Sequence, residues 1–184
     1  MLVTKINKEI FNRYPLKEED QIWQKLQKMN VEPKGKIPNN ILCFLEEGTI
    51  RKYYLNVGIE FDQKLSLDFY LAGDIFVTEK NSFSKQIYYE AIDNGVLWVA
   101  EMKEVQKLIV ASPQCNTYQR LFLEKQLRDK TAKEIQRLKS TPQDLYLYLL
   151  QHRPEFLQLI PLKYLASYIG ITPQALSRIR KRIS

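Results

Sequence analysis

The chain has 184 residues, 45% hydrophobic and 27% charged, with a formal net charge of +7. This is the balance of a soluble globular protein with enough apolar material for one or two cored domains. No apolar run approaches the length of a membrane span and the opening MLVTKINKEIF lacks a signal-peptide core, so cytoplasmic residence is expected.

In chain order, Ile22, Trp23, Leu26 and Met29 make an amphipathic face, with Glu18, Glu19 and Asp20 placed early, and predict a first helix. Pro33, Gly35 and Pro38 then break regularity. From Ile41 the signals are those of strands. ILCFL runs into a turn at Glu46-Glu47-Gly48 and TIRKYYL returns. Leu65, Leu67, Phe69 and Leu71 alternate with Ser66, Asp68 and Tyr70. Ala72-Gly73-Asp74 is a further turn before IFV. IYYEAI and VLWVA flank Asp93-Asn94-Gly95, where Asn-Gly predicts a hairpin. Short strands at close spacing point to an antiparallel roll or barrel. Phe69, Phe76, Tyr88, Tyr89 and Trp98 read as core rather than as a ligand box.

Helix resumes near Glu101, with Val105, Leu108 and Ile109 inward, and is interrupted at Ser112-Pro113. Between 116 and 139 no Gly or Pro occurs, which predicts one long helix. Tyr118, Leu121, Phe122 and Leu123 make its first part apolar. Leu127, Thr131, Ile135 and Leu138 continue as a narrow stripe among charges. Such a seam suits pairing with a second copy, and it also suits packing on the chain's own roll; Lys125 and Arg128 interrupt a strict heptad. Thr141 caps the next helix, whose face is Leu145, Tyr148 and Leu149, with Asp144 near its positive end. The linker falls near 138–141. The chain stops one residue after Ile183, so no wing follows the last helix, and any wing strands lie around 153–160.

The last stretch, IPLKYLASYIGITPQALSRIRKRIS, carries the most specific signal. Leu162, Leu165, Ala166 and Ile169 form the stripe of a short helix that Gly170 ends. Thr172 and Pro173 open a second, as cap and first-position proline. In it Leu176, Ile179 and Ile183 face inward, while Gln174, Ser177, Arg178 and Lys181 share the opposite face beside Arg180 and Arg182. Two short helices about a glycine turn, the second with an amide, a hydroxyl and cations outward, describe a helix-turn-helix suited to the major groove of double-stranded DNA. Arg can donate twice to guanine and Gln can bridge adenine, whereas Arg180, Lys181 and Arg182 suit phosphates. An ordinary helical hairpin with a solvated basic face fits the apolar spacing equally. The charge distribution separates the two: residues 113–184 hold 13 Lys/Arg against 5 Asp/Glu, and residues 1–112 hold 15 against 16. All the excess cation lies in the part with the candidate reader, as a polyanion partner requires.

Gly170-Ile171-Thr172-Pro173-Gln174-Ala175-Leu176-Ser177-Arg178 resembles the C-terminal helix-turn-helix of the Crp/Fnr family of bacterial transcription regulators, and the order of roll, long helix and helix-turn-helix is similar over nearly the full length. The resemblance implies an α+β fold: a cyclic-nucleotide-binding-like β-roll, jelly-roll-like with flanking helices (1–112), a dimerisation helix (113–139) and a DNA-binding domain (140–184). It implies that Arg178 reads a guanine and that Ser177 reads or approaches a base, with Thr172 in the same motif. Gln174 stands where Glu is usual, which shifts the preference there from cytosine towards adenine. The family's phosphate cassette is only begun, by Gly73-Asp74. Val77-Thr78 replace Gly-Glu, and Lys85-Gln86 fall near its Arg-Ser. Valine obstructs close approach of amides to a phosphate and lysine lacks the arginine fork, so cyclic AMP is not expected. Lys85 is a weak candidate for another anion, and Glu79 could serve the ribose only by a shift.

The expected partners are therefore duplex DNA, a second copy of the chain, RNA polymerase and an unidentified small-molecule effector, with no membrane. Cys43 and Cys115 read as reduced thiols, two being too few for a four-cysteine iron–sulfur set. The single His152 reads as a surface residue at a helix end. No cofactor or metal is expected, and with no nucleophile beside a base the chain does not read as an enzyme. The alternative is a small-molecule or anion sensor with vestigial DNA binding.

Overall fold

Strands β1 (Gln27–Val31), β2 (Ile41–Glu47), β3 (Thr49–Asn56), β4 (Gln63–Leu71), β5 (Ile75–Val77), β6 (Ile87–Ala91) and β7 (Gly95–Glu101) form two antiparallel sheets in the computed structural model. The described residues are 24–56, 63–79 and 86–183. One sheet has the order β1-β7-β2-β5 and the other β4-β3-β6. Helices follow: α1 (Met102–Ala111), α2 (Pro113–Lys139), α3 (Pro142–His152), α4 (Pro154–Leu159), α5 (Leu162–Ile169) and α6 (Pro173–Ile183).

The turns at Gly48, at Ala72–Asp74 and at 92–94 are corners between sheets, which corrects the hairpin expected at Asn94-Gly95. β2 pairs with β5 and β7, whereas β3 pairs with β4 and β6. The chain therefore changes sheet at Gly48, at Ala72–Asp74 and at 92–94, the Asn-Gly included. The corners fasten to one another. Thr49 N donates to Asp93 Oδ1 at 2.7 Å, and Ile92 N donates to Thr49 O at 2.9 Å. Gly73 N donates to Leu45 O at 2.8 Å, while Asp74 closes its own turn by accepting from Leu71 N. A local turn signal specifies that the chain bends; which strand edges are free decides where it lands.

Between the sheets lies a core of Ile37, Ile41, Cys43, Leu45, Ile50, Phe76, Tyr89, Ala91 and Leu97. Tyr70, Phe76 and Tyr89 stack in it, with Tyr70 and Phe76 centroids 4.1 Å apart. The period of two in β4 has an unexpected consequence. Tyr70 enters this core, but Phe69 and Leu71 point out of the roll and belong to the core of the C-terminal helices. A bulge opposite Lys52 and Tyr53 resets the alternation at Leu67.

Of the predicted first helix, 18–23 lie outside the described residues. Its remainder is corrected: only Gln24 and Lys25 are helical, and Met29 is in β1 opposite Leu97. The alternation of Met29 and Val31, both packed on the roll core, outweighs the helical spacing.

α2 begins where Ser112 accepts from Cys115 N and Pro113 takes the first turn, and it runs for 27 residues with none buried. α3 opens with a capping box, Thr141 and Asp144 bonding reciprocally. Its inward residues are Leu145, Tyr146 and Leu149; Tyr148 is exposed, contrary to the expected face, and lies against the exposed His152 at the helix end. The stretch 153–160, the place left for any wing strands, holds helix α4 instead. Pro154 starts it and Phe156, 1% exposed, anchors it in the helical core.

Candidate nucleic-acid interface

The two-helix unit is built as its sequence requires. α5 buries Leu165, Ala166, Tyr168 and Ile169, and Gly170 ends it in the left-handed region at φ 86°. Gly170 N and Ile171 N both return to Ala166 O, at 2.9 and 3.0 Å. Thr172 then caps α6: its Oγ1 accepts from Ala175 N at 3.2 Å and its carbonyl from Leu176 N at 3.0 Å. Leu176 is fully buried, and Ile179 and Ile183 pack on the same core with Phe156, Leu165 and Ile169.

That anchoring sets the opposite face. Gln174, Arg178, Lys181 and Arg182 are exposed, as are Thr172 and Arg180, and Ser177 is half-buried among them. Apart from Thr172, which precedes it, the predicted residues thus share one helix, with Gln174, Ser177, Arg178 and Lys181 on a single stripe. Arg180, Lys181 and Arg182 fall in the last turn, where carbonyl dipoles favour cations. α6 can therefore insert its N-terminal polar residues into a groove while its C-terminal cations meet phosphates.

Sequence reasoning missed how this unit sits on the roll. Phe69 from β4 meets Phe156 and Tyr168 edge-on or tilted, each at 5.6 Å between centroids. Lys133 and Arg137 of α2 reach back to Asp68 Oδ2 at 2.6 Å and Leu67 O at 3.1 Å. The sequence carried no signal for it, because Phe69 and Leu71 alternate in phase with Leu65 and Leu67 and only the bulge turns them outward.

The second place of interest is a cavity of about 480 Å³ between β2, β5, α1 and α2. Its walls include Leu42, Phe44, Ile75, Val105, Leu108 and Phe122, and both cysteines line it. Burial pushes the Cys43 thiol up, away from thiolate. At one end Lys52 and the Tyr89 hydroxyl both donate to the Glu79 carboxylate. Burial alone would raise Glu79; the hydrogen bonds from Lys52 and Tyr89 outweigh it and hold the carboxyl below its ordinary value. Thr78, where the cassette's Glu would stand, spends its hydroxyl on Ile41 N and Ile41 O. Among the described residues, two features oppose a cyclic-phosphate cradle: Glu79 is engaged by Lys52 and Tyr89, and Val77 supplies a side chain where a glycine would leave the backbone open. Lys85 lies outside the described residues. Among the described residues no three His, Cys, Asp or Glu gather as a metal-ligand set, and no helix is long and apolar enough to cross a membrane.

No protein-family model and no curated protein matches the chain. Solved structures do. FixK2 from Bradyrhizobium japonicum superposes with a TM-score of 0.71 at 14% identity, over 86% of this chain and 84% of that one. A putative Crp/Fnr-family transcriptional regulator from Eubacterium rectale gives 0.68 at 16%, over 95% and 86%. The c-di-GMP-responsive global regulator CLP of Xanthomonas campestris gives 0.64 at 16%, over 89% and 88%. The likeness spans roll, long helix and C-terminal helices together, and the fold of this chain is that of the Crp/Fnr transcription regulators.

Proposed function

We propose that this protein is a sequence-specific, DNA-binding transcription regulator that acts as a homodimer and does not use cyclic AMP. The observation that carries the reading is the division of α6. Leu176, Ile179 and Ile183 are held in the core, which presents Gln174, Ser177, Arg178 and Lys181 together to solvent. On this reading Arg178 donates to guanine O6 and N7, Gln174 meets an adenine, and Ser177 reads or approaches a base. Arg180, Lys181 and Arg182 bind phosphates, with Thr172 at the helix start beside the backbone.

The dimer rests on α2. Leu123, Leu127, Ile135 and Leu138 are exposed large hydrophobics on a helix with no buried residue. A run of this kind on a charged helix is stabilised by a second copy of itself. The working parts are then a roll (1–112), a dimerisation helix (113–139) and a DNA reader (140–184). Purified protein selected against a randomised DNA pool should enrich an imperfect palindrome, its half-sites about 34–36 Å apart. A pool with no enriched sequence sinks the reading.

A second reading, a small-molecule sensor with vestigial DNA binding, is favoured by the cavity alone. Its mostly apolar walls, with a few polar groups such as Lys52 and Glu79, suit an amphipathic ligand rather than a nucleotide. A ligand that raises the melting temperature of a protein without DNA affinity would establish it.

A further inference from the structure

The outer face of the roll carries a charged residue where a solvated one is usual. Arg51, in β3, is 2% exposed. Its Nε donates to Ser66 Oγ at 2.9 Å, Nη1 to Glu90 Oε1 at 3.0 Å and Nη2 to Lys64 O at 3.0 Å. The guanidinium lies between two rings, 5.0 Å from the centroid of Tyr53 and 4.1 Å from that of Tyr164. Tyr164 is not part of the roll. It belongs to α5, the helix that leads through Gly170 into α6.

One turn further along α5, Ser167 makes the second attachment. Among the described residues β4 is an edge strand, so its outward amides and carbonyls face no neighbouring strand there. Ser167 Oγ accepts from Ser66 N at 2.9 Å and donates to Lys64 O at 3.3 Å, filling the place of a next strand. Arg137, from α2, stacks on Tyr168 at 4.5 Å while bonding Leu67 O, so the far end of α5 is held as well.

Adhesion alone does not require this chemistry. Phe69 and Leu71 already join roll and helices through an apolar core, whose driving force is non-directional. A buried Arg–Glu pair is costly to desolvate, so replacing the whole pair by apolar residues is often neutral or stabilising. What the fork supplies is direction: three hydrogen bonds in one plane and a ring stacked on it. Between α2 and α3 only Ser140 and Thr141 are non-helical, so the reader has two tethers, that short link and the seam at β4.

We infer that Arg51 and Ser167 are positioning residues for DNA recognition, fixing the angle of α6 relative to the roll and hence the distance between the two recognition helices of a dimer. The inference rests on the proposed reading of α6 as the DNA-contacting helix. None of the exposed side chains of α6 is occluded by the roll, so the docked arrangement leaves the reader open to DNA.

The test uses full-length protein and the operator selected from the randomised pool. Affinities are measured for that operator, for versions with the half-sites moved apart or together by one or two base pairs, and for a single half-site. Arg51→Met and Ser167→Ala should keep single-half-site affinity, while their preference for the selected spacing falls roughly tenfold. Ser167→Ala, which removes one hydroxyl, decides the matter if Arg51→Met fails to fold. Spacing preference unchanged in folded variants overturns the inference, as does an equal loss on every DNA. Tighter binding to every DNA also overturns it, because the seam would then be restraining the reader. Wild-type protein with no operator preference overturns the reading of α6 itself, and this inference with it.

Discussion

A Cβ placed on Gly48 would stand 2.6 Å from the carbonyl oxygen of Asn94, although the two residues lie at different corners of the roll. Gly48 also sits at φ 93°, a conformation L side chains rarely adopt. The corner joining β2 to β3 and the corner joining β6 to β7 are thus packed backbone on backbone. Gly48→Ala is expected to cost roughly 1–3 kcal/mol for the dihedral alone, with the clash in addition. A lowered midpoint in urea unfolding at unchanged slope checks it, and an unchanged midpoint refutes it.

Arg178 and Lys181 share a face of α6 but should differ in what they contribute. Arg178→Ala is expected to remove about 1–3 kcal/mol of specific binding and to relax one base position. Lys181→Ala should weaken all sequences alike and reduce the slope of log affinity against log salt by about one unit. Titrations at several salt concentrations on specific and scrambled DNA separate the two. Identical profiles for both variants would contradict the division of roles.

Ile135 and Leu138 are 55% and 82% exposed, so acidic residues there meet little inside one protomer. The double substitution Ile135→Asp, Leu138→Asp should leave the protomer's stability within about 0.5 kcal/mol per site. Sedimentation is expected to show monomer in place of dimer, with loss of tight binding to two half-sites. A dimer that survives both changes would place the association elsewhere than α2.

Glu79 links the end of the cavity to acid stability. Its carboxyl titrates below the ordinary 4.5 in the folded protein, held there by Lys52 and Tyr89 against the opposing effect of burial. A depressed acid stabilises above its unfolded value, and that contribution disappears as pH falls below 4.5 through the folded value. Glu79→Gln should lower stability at neutral pH by about 1.5–3 kcal/mol, the range for hydrogen bonds to charged groups. It should also flatten this part of the acid limb in urea midpoints measured between pH 7 and pH 3. Asp74, which burial raises, is untouched by the change and bends the limb in the opposite sense in both proteins. Parallel acid limbs for the two proteins would show that Glu79 is not so held.

The two-helix unit at the C-terminus was legible in the sequence, because its determinants act over a few residues. Gly170 takes a left-handed turn, Thr172 caps the next amides, and Leu176, Ile179 and Ile183 fix the inward side, which leaves Gln174 and Arg178 outward. The long helix, interrupted by neither Gly nor Pro, was legible for the same reason, as was the existence of short strands. Partner choice was not. Asn94-Gly95 reads as a hairpin, yet β6 and β7 lie in separate sheets, since a turn residue carries no information about which edge a strand will meet. Phe69 and Leu71 alternate correctly but face a core made by helices far along the chain. Arg51 looks like a solvated strand residue until Glu90, 39 positions later, and Tyr164 close over it. Tertiary structure alone decided these contacts. Each depends on residues distant in sequence arriving at one place, where removal from water turns an ordinary charge or ring into a directed contact.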